Sequence, residues 1–69
     1  MLVDVDYLRR LRRQRSLSIG EAATKLGKSR TTLWRYENGQ VNMPASMLLK
    51  LAEFYGVGVD RLTTDKALP

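Results

Sequence analysis

The chain has 69 residues, of which 43% are hydrophobic and 28% charged, and its formal net charge is +5. This length suits one small domain whose core is only marginally stable by itself, and the composition is typical of a folded soluble protein. The chain has no cysteine and no histidine, which excludes disulfides, zinc sites, thiol nucleophiles and imidazole bases. We therefore expect no enzyme activity, no metal, no cofactor and no small-molecule substrate.

The positive charge is concentrated in the N-terminal part of the chain. Residues 1–39 hold nine bases against four acids, a balance of +5, whereas residues 40–69 hold three of each. Such an excess attracts a polyanion. The N-terminus is acidic where a signal peptide is basic, and no apolar run approaches the roughly 18 residues of a membrane span. We predict a cytoplasmic protein without membrane contact, built as one domain over residues 1–69 with a core at about 5–62 and a loose tail at 63–69.

Helical periodicity accounts for most of the chain, and nothing alternates as a strand would. The first helix is predicted from residue 4 or 6 to residue 15, with Leu8 and Leu11 facing inward and its bases on the other faces. Ser18 and Glu21 form a Ser-x-x-Glu capping box that begins the second helix. Ser16 must reverse the chain between them, and serine in a left-handed conformation costs about 1 kcal/mol.

A tight turn separates the second helix from the third. Gly27 can adopt the left-handed conformation that ends a helix, and Ser29 is a good N-cap for a third helix over residues 30–38. Leu33 and Tyr36 are predicted to anchor that helix from below. The remaining side chains then lie on its other faces: Arg30, Thr31, Thr32, Trp34 and Arg35.

Two more helices complete the predicted all-α fold. The fourth begins near Pro44 and ends at Gly56, and a short fifth covers residues 59–62. This region supplies more apolar surface than one helix buries, so each of its apolar residues either closes the core or contributes to a dimer contact: Met43, Met47, Phe54, Tyr55, Val57, Val59 and Leu62.

Two short helices joined by a glycine turn, with exposed polar side chains on the second, describe a helix-turn-helix, whose second helix lies in the DNA major groove. Over residues 5–62 the chain resembles the lambda-repressor-like, or XRE, family of regulators. The resemblance rests on four segments in the family's order: LRRLRRQRSLS, EAATKLGKSRTTLWRYENG, LLKLAEFYGV and VDRL. It implies a compact five-helix domain that binds a palindromic operator on double-stranded DNA as a homodimer and regulates transcription, usually by repression.

The resemblance also assigns roles to individual residues. Base contacts fall on Arg30, Thr31 and Arg35, with Thr32 and Trp34 beside them. Phosphate contacts fall on Ser18, Ser29 and Asn38 at helix ends, joined by Lys28 and Arg13. The family's pairing of a first-helix arginine with the glutamate before Asn-Gly predicts a structural ion pair between Arg12 and Glu37. The chain departs from the family at Ile19, where a phosphate-binding glutamine is common, at loop 40–43, which lacks basic residues, and at Trp34, where a small polar residue is more usual.

Several alternatives stay open at this point. Trp34 could pack on a neighbouring helix, touch DNA, or lie at a subunit contact. Arg9, Arg10, Arg13 and Arg15 could be either the solvated face expected of a charge run or direct DNA contacts. The segment Gly27-Lys28-Ser29 looks like the end of a phosphate-binding loop, but Ala22 stands where that motif needs glycine. The basic helix YLRRLRRQRSL could lie on a membrane surface, although its narrow apolar face is needed for the core. The main competitor is a protein-binding module such as an antitoxin, with DNA binding secondary.

Overall fold

The computed structural model describes residues 2–64. Five helices follow one another: α1 (Val5–Gln14), α2 (Ile19–Leu26), α3 (Arg30–Glu37), α4 (Ala45–Tyr55) and α5 (Val59–Leu62). The predicted all-α class and the number of helices are confirmed, and the predicted bounds differ from these by at most a residue or two. The predicted end of the third helix, Asn38, is the residue that caps α3.

At the start of each of the first three helices, a side chain accepts a hydrogen bond from one backbone N–H group, and at α3 the Ser29 hydroxyl accepts from the Thr32 N–H at 3.1 Å. Asp4 caps α1 by accepting from the Tyr7 N–H at 3.1 Å. At α2 the Ser18 hydroxyl accepts from the Glu21 N–H at 3.1 Å, and the Glu21 carboxylate accepts from the Ser18 N–H at 2.8 Å. These hydrogen bonds to Ser18 lower the pKa of Glu21 below its ordinary value of 4.5. The capping box predicted from the sequence is therefore present.

Four residues in the left-handed region reverse the chain between helices, and Gly39 (φ 67°) is the one that follows α3. Gly27 (φ 71°) ends α2 and Gly56 (φ 69°) ends α4. Ser16 (φ 55°) does the same between α1 and α2, so the strained serine expected from the sequence is observed. These tight reversals let the helices fold back on one another.

The core lies between all five helices. Its buried apolar residues are Leu8, Leu11, Ala22, Ala23, Leu26, Leu33, Met47, Leu48, Leu51, Ala52, Tyr55 and Leu62. Of the surplus apolar residues near the C-terminus, Met47, Tyr55 and Leu62 are buried, and the others pack against the core while partly exposed. Tyr36 is also half-buried against the core, so it is less buried than Leu33, the other residue predicted to anchor α3.

A short antiparallel pair of strands joins the two ends of the domain, which the sequence did not predict. β1 (Leu2–Val3) pairs with β2 (Thr63–Thr64), and the Asp4 N–H donates to the Leu62 carbonyl at 2.9 Å. Thr63 and Thr64 are thus tied to the N-terminus rather than forming the start of a loose tail. The rest of the predicted tail lies outside the described residues.

Candidate nucleic-acid interface

The arrangement of α2 and α3 positions the outer residues of α3. Between the two helices, residues 27–29 form a turn in which the Lys28 N–H donates to the Ala23 carbonyl at 2.9 Å and the Gly27 N–H to the Thr24 carbonyl at 3.1 Å. Ala22 and Ala23 are almost fully buried, and their small side chains allow close packing of the helices. The direction in which α3 leaves α2 is therefore fixed by backbone hydrogen bonds and by core packing.

One side of α3 is buried and the opposite side faces solvent. Leu33 and Glu37 are 1% and 2% exposed. In a helix of about 3.6 residues per turn, Thr31 and Arg35 lie on the side away from Leu33, and both are exposed. Arg30 occupies the first turn and is also exposed, and its side chain points toward the N-terminal end of the helix.

These three candidates for base contact are available to a ligand. Among the described residues, Arg30, Thr31 and Arg35 take part in no side-chain hydrogen bond or ion pair. Thr32 differs, because it is half-buried and its hydroxyl oxygen accepts from the Ser29 hydroxyl at 2.8 Å. Thr32 therefore belongs to the N-terminal cap of α3.

The candidates for phosphate contact lie at three places. Ser18 and Ser29 begin α2 and α3, whose N-terminal ends carry partial positive charge. The Ser18 hydroxyl only accepts within the described residues, so it can still donate, whereas the Ser29 hydroxyl donates to Thr32. Lys28 in the turn and Arg13 on α1 are exposed. Phosphate binding at α3 would accordingly use backbone N–H groups rather than the Ser29 hydroxyl.

Asn38 lies at the other end of α3. Its side-chain amide donates to the Trp34 carbonyl at 2.8 Å and so caps the C-terminus of the helix. The helix dipole is negative there, which disfavours an anion. A phosphate at Asn38 would therefore need a nearby cation. Arg9 can supply it, because its Nη1 lies 3.5 Å from the Asn38 Oδ1.

Arg12 of α1 contacts Glu37 of α3 inside the domain. The Arg12 Nε donates to both carboxylate oxygens of Glu37, at 3.0 and 2.9 Å, and Nη1 donates to the Leu17 carbonyl at 3.0 Å. The side chains are 12% and 3% exposed. The two residues paired by the family resemblance are therefore in direct contact, and Arg12 also ties them to the turn that precedes α2.

Comparison with known proteins adds to this geometry. A family model described as a helix-turn-helix domain matches residues 5–64. The chain belongs to this helix-turn-helix family.

Three relatives named as HTH-type transcriptional regulatory proteins are similar to this helix-turn-helix domain. One from Pyrobaculum aerophilum is 37% identical over 59 residues, covering 86% of the chain and 24% of the relative. One from Methanococcoides burtonii is 39% identical, covering 74% of the chain and 16% of the relative. One from Methanocella arvoryzae is 43% identical, covering 74% of the chain and 15% of the relative. The chain thus spans less than a quarter of the length of each, and no solved structure matches it.

Arg9 of α1 and Arg15, the residue that caps the C-terminus of α1, make contacts that the sequence did not predict. The Arg9 Nη1 donates to the Glu37 carbonyl at 2.8 Å, and Arg9 also pairs with Asp6. The Arg15 Nη2 donates to the Tyr55 carbonyl at 2.6 Å, with the guanidinium 5.2 Å from the centre of the Tyr55 ring. Both were expected on a solvated face, and Arg15 is exposed whereas Arg9 is half-buried. Both also bind the last carbonyl groups of α3 and α4, which carry partial negative charge.

Trp34 is 45% exposed. It lines an open pocket of about 250 Å³ together with Ile19, Arg30 and Thr31. Ile19, the first residue of α2, is half-buried. The two positions at which the chain departs from the family pattern on this face therefore lie together.

The part of the chain that the structure describes holds neither a candidate metal site nor a helix that could span a membrane. Within residues 2–64 no group of three or more potential ligands could hold a metal ion. Over the same residues, none of the helices is long and apolar enough to cross a bilayer.

Proposed function

We propose that this chain binds double-stranded DNA sequence-specifically, with α3 in the major groove, and regulates transcription. The observation that carries the proposal is the set of exposed side chains on α3 without partners among the described residues: Arg30, Thr31 and Arg35. The names of the relatives, which are regulatory proteins of transcription, support extending that role to this chain. Such a regulator acts on the chromosome, so the proposal implies a cytoplasmic location.

Base reading follows from the chemistry of these residues. An arginine can donate two hydrogen bonds to the O6 and N7 of guanine, a contact worth about 1–3 kcal/mol of discrimination. We assign the first such contact to Arg30 and the second to Arg35, with the Thr31 methyl group against a thymine methyl. Thr32 would act indirectly, through the cap that it shares with Ser29.

Phosphate contacts would supply affinity without sequence preference. We assign them to the Ser18 hydroxyl, the backbone N–H groups after Ser29, Lys28, Arg13 and the Asn38 end of α3. Each phosphate neutralised by lysine or arginine lowers log K by about 0.9 per log unit of salt. Lys28 and Arg13 in each half of a dimer would give a slope of roughly −3 to −4.

We propose that the chain binds a palindromic operator as a homodimer and that this binding represses transcription. Leu49 on α4 is 57% exposed and borders an open pocket of about 430 Å³ whose other walls include Ala52, Val57 and Val59. An apolar surface of this kind on a small domain supports self-association. A dimer has two-fold symmetry, so its preferred operator would carry two inverted half-sites.

Selection of bound sequences from a random duplex library tests the proposal. We expect an enriched inverted repeat, a dimer mass by sedimentation, and weaker dimerisation in a Leu49→Asp variant. Exposed Lys25 gives the control, because Lys25→Asp adds an acid on α2, away from this pocket. The absence of any enriched sequence at moderate salt would refute DNA reading, whereas enrichment of a single half-site by a monomer would refute only the assembly.

A further inference from the structure

The pocket beside Trp34 combines apolar and cationic walls on the face assigned to DNA. Ile19 and Trp34 supply the apolar surface, and Arg30 and Thr31 supply the polar groups. The apolar pair comes from two different helices, α2 and α3. The angle between the helices therefore creates the pocket.

Much of Trp34 is not buried by the domain. The residue is 45% exposed, whereas Ile19 across the pocket is partly buried against the core. Its neighbour one turn earlier on α3 is Arg30, which lines the same pocket. A large aromatic surface therefore remains uncovered beside a guanidinium assigned to base reading.

We propose that this pocket receives the C5-methyl group of a thymine in the major groove. The inference rests on the proposed function and specifies one base of its substrate. The thymine methyl is the apolar group that base pairs present in the major groove, and side chains recognise it by apolar contact. Ile19 and Trp34 provide that contact, while Arg30 binds a guanine close by.

The spacing of the residues limits where that thymine lies. Arg30 and Trp34 are four residues apart, which corresponds to about 6 Å along a helix. Successive base pairs are about 3.4 Å apart. The thymine methyl should consequently lie within about two base pairs of the guanine that Arg30 reads.

Replacing thymine by uracil removes the methyl group alone and gives the most direct test. Each thymine of a selected operator is replaced in turn, and binding is measured by fluorescence anisotropy of labelled duplex. We expect a thymine within about two base pairs of the Arg30 guanine in each half-site whose replacement weakens binding by about fourfold, from the transfer free energy of one buried methyl group, and roughly 16-fold when both half-sites are changed. A separate thymine that contacts the Thr31 methyl group would show its own loss, which Trp34→Ala should leave unchanged.

Variants of the pocket assign that loss to its walls. Trp34→Ala should lose most of the discrimination between the thymine and uracil operators while keeping the preference for the guanine. Trp34→Phe should keep part of the discrimination, and Ile19→Gln should reduce it from the other wall. Val41→Ala is the matched control, because Val41 is 44% exposed and lies outside this pocket, and it should discriminate as the wild type does.

Four results would overturn the inference while leaving the proposed function intact. The first is that no thymine shows a methyl effect, and the second is that Trp34→Ala keeps the wild-type ratio of affinities for the thymine and uracil operators. The third is that this variant loses the same affinity on all duplexes, which indicates contact with sugar or phosphate. The fourth is that its mass in sedimentation is altered, which indicates a subunit contact. If the wild type selects no sequence at all, the proposed function fails and this inference fails with it.

Discussion

The ion pair between Arg12 and Glu37 should hold the end of α3 in place. Replacing Arg12 with methionine should show how much the pair contributes to the unfolding free energy of the domain. Methionine keeps most of the length of the side chain and removes its charge and donors. In Arg12→Met the Glu37 carboxylate, 3% exposed, would lose both hydrogen bonds from the Arg12 Nε. The Leu17 carbonyl would lose its donor as well.

The expected loss is large compared with the stability of the whole domain. Removing one partner of a buried pair costs about 3–5 kcal/mol, because the other charge stays buried without compensation. At about 0.05–0.15 kcal/mol per residue, the 69 residues give a total unfolding free energy of about 3–10 kcal/mol. Arg12→Met should therefore lose at least about a third of the unfolding free energy of the domain, and all of it if the wild type lies at the low end of that range.

A double-mutant cycle separates the pair from its surroundings. Arg12→Met/Glu37→Met removes both charges, so it should recover most of the loss and fall short by about 1 kcal/mol for the hydrogen bond to Leu17. The unfolding free energy is measured by urea denaturation followed by circular dichroism. Exposed Arg13 is the matched control, and Arg13→Met should stay within about 0.5 kcal/mol of the wild type. If Arg12→Met and Glu37→Met each lost less than about 1 kcal/mol of unfolding free energy, and these losses added up in the double variant, the ion pair would not be what holds α3 in place.

Three further substitutions test local features of the fold. Ser16→Gly should raise the unfolding free energy by about 0.5–1 kcal/mol in urea, because glycine relieves the left-handed strain at φ 55°, and a decrease would contradict this. Tyr55→Phe should be neutral or stabilising by up to about 1 kcal/mol in thermal melts, because the buried hydroxyl has no partner among the described residues and its burial raises the pKa of Tyr55. In wild type the lowered pKa of Glu21 contributes stability above 4.5 that is lost as pH falls through the lowered value, so Glu21→Gln should lose less stability during acid titration. Identical acid profiles would show that the capping box is not coupled to folding.

The starts and turns of the helices could be predicted because their signals are local. Ser18 and Glu21 lie within one turn of each other and satisfy each other's backbone N–H groups. Gly27 and Gly56 end helices through their own backbone conformation. Even the unfavourable Ser16 was identified, because the apolar periodicity on both sides required a break there.

Contacts between distant parts of the chain could not be predicted in the same way. Arg9 and Arg15 bind carbonyl groups 28 and 40 residues away, and only the packing of α1 against the ends of α3 and α4 brings these atoms together. One signal was available for Arg9: it precedes Arg12 by three residues and so shares its face of α1. The pairing of β1 with β2 involves two residues on each side, too few for a recognisable alternating pattern.

The site was predictable at the level of its outer residues and not at the level of its hydrogen bonds. The positions of Leu33 and Tyr36 indicated which side of α3 faces inward, so Arg30, Thr31 and Arg35 followed as exposed residues. The role of Thr32 in the cap depends on the hydrogen bond between its hydroxyl and that of Ser29, which the sequence pattern does not specify. The pocket shared by Ile19 and Trp34 depends on the crossing of α2 and α3, which the sequence pattern does not specify.

Base reading by α3 is tested most directly by measuring the affinity of Arg30→Ala and Arg13→Ala for every single-base variant of the selected operator. Arg30→Ala should lose about 1–3 kcal/mol of discrimination at one position in each half-site and keep it elsewhere. Arg13→Ala, if it neutralises a phosphate, should weaken all duplexes alike and reduce the salt slope by about 1 per half-site. Equal losses that ignore sequence in both variants would contradict the assignment of base reading to α3.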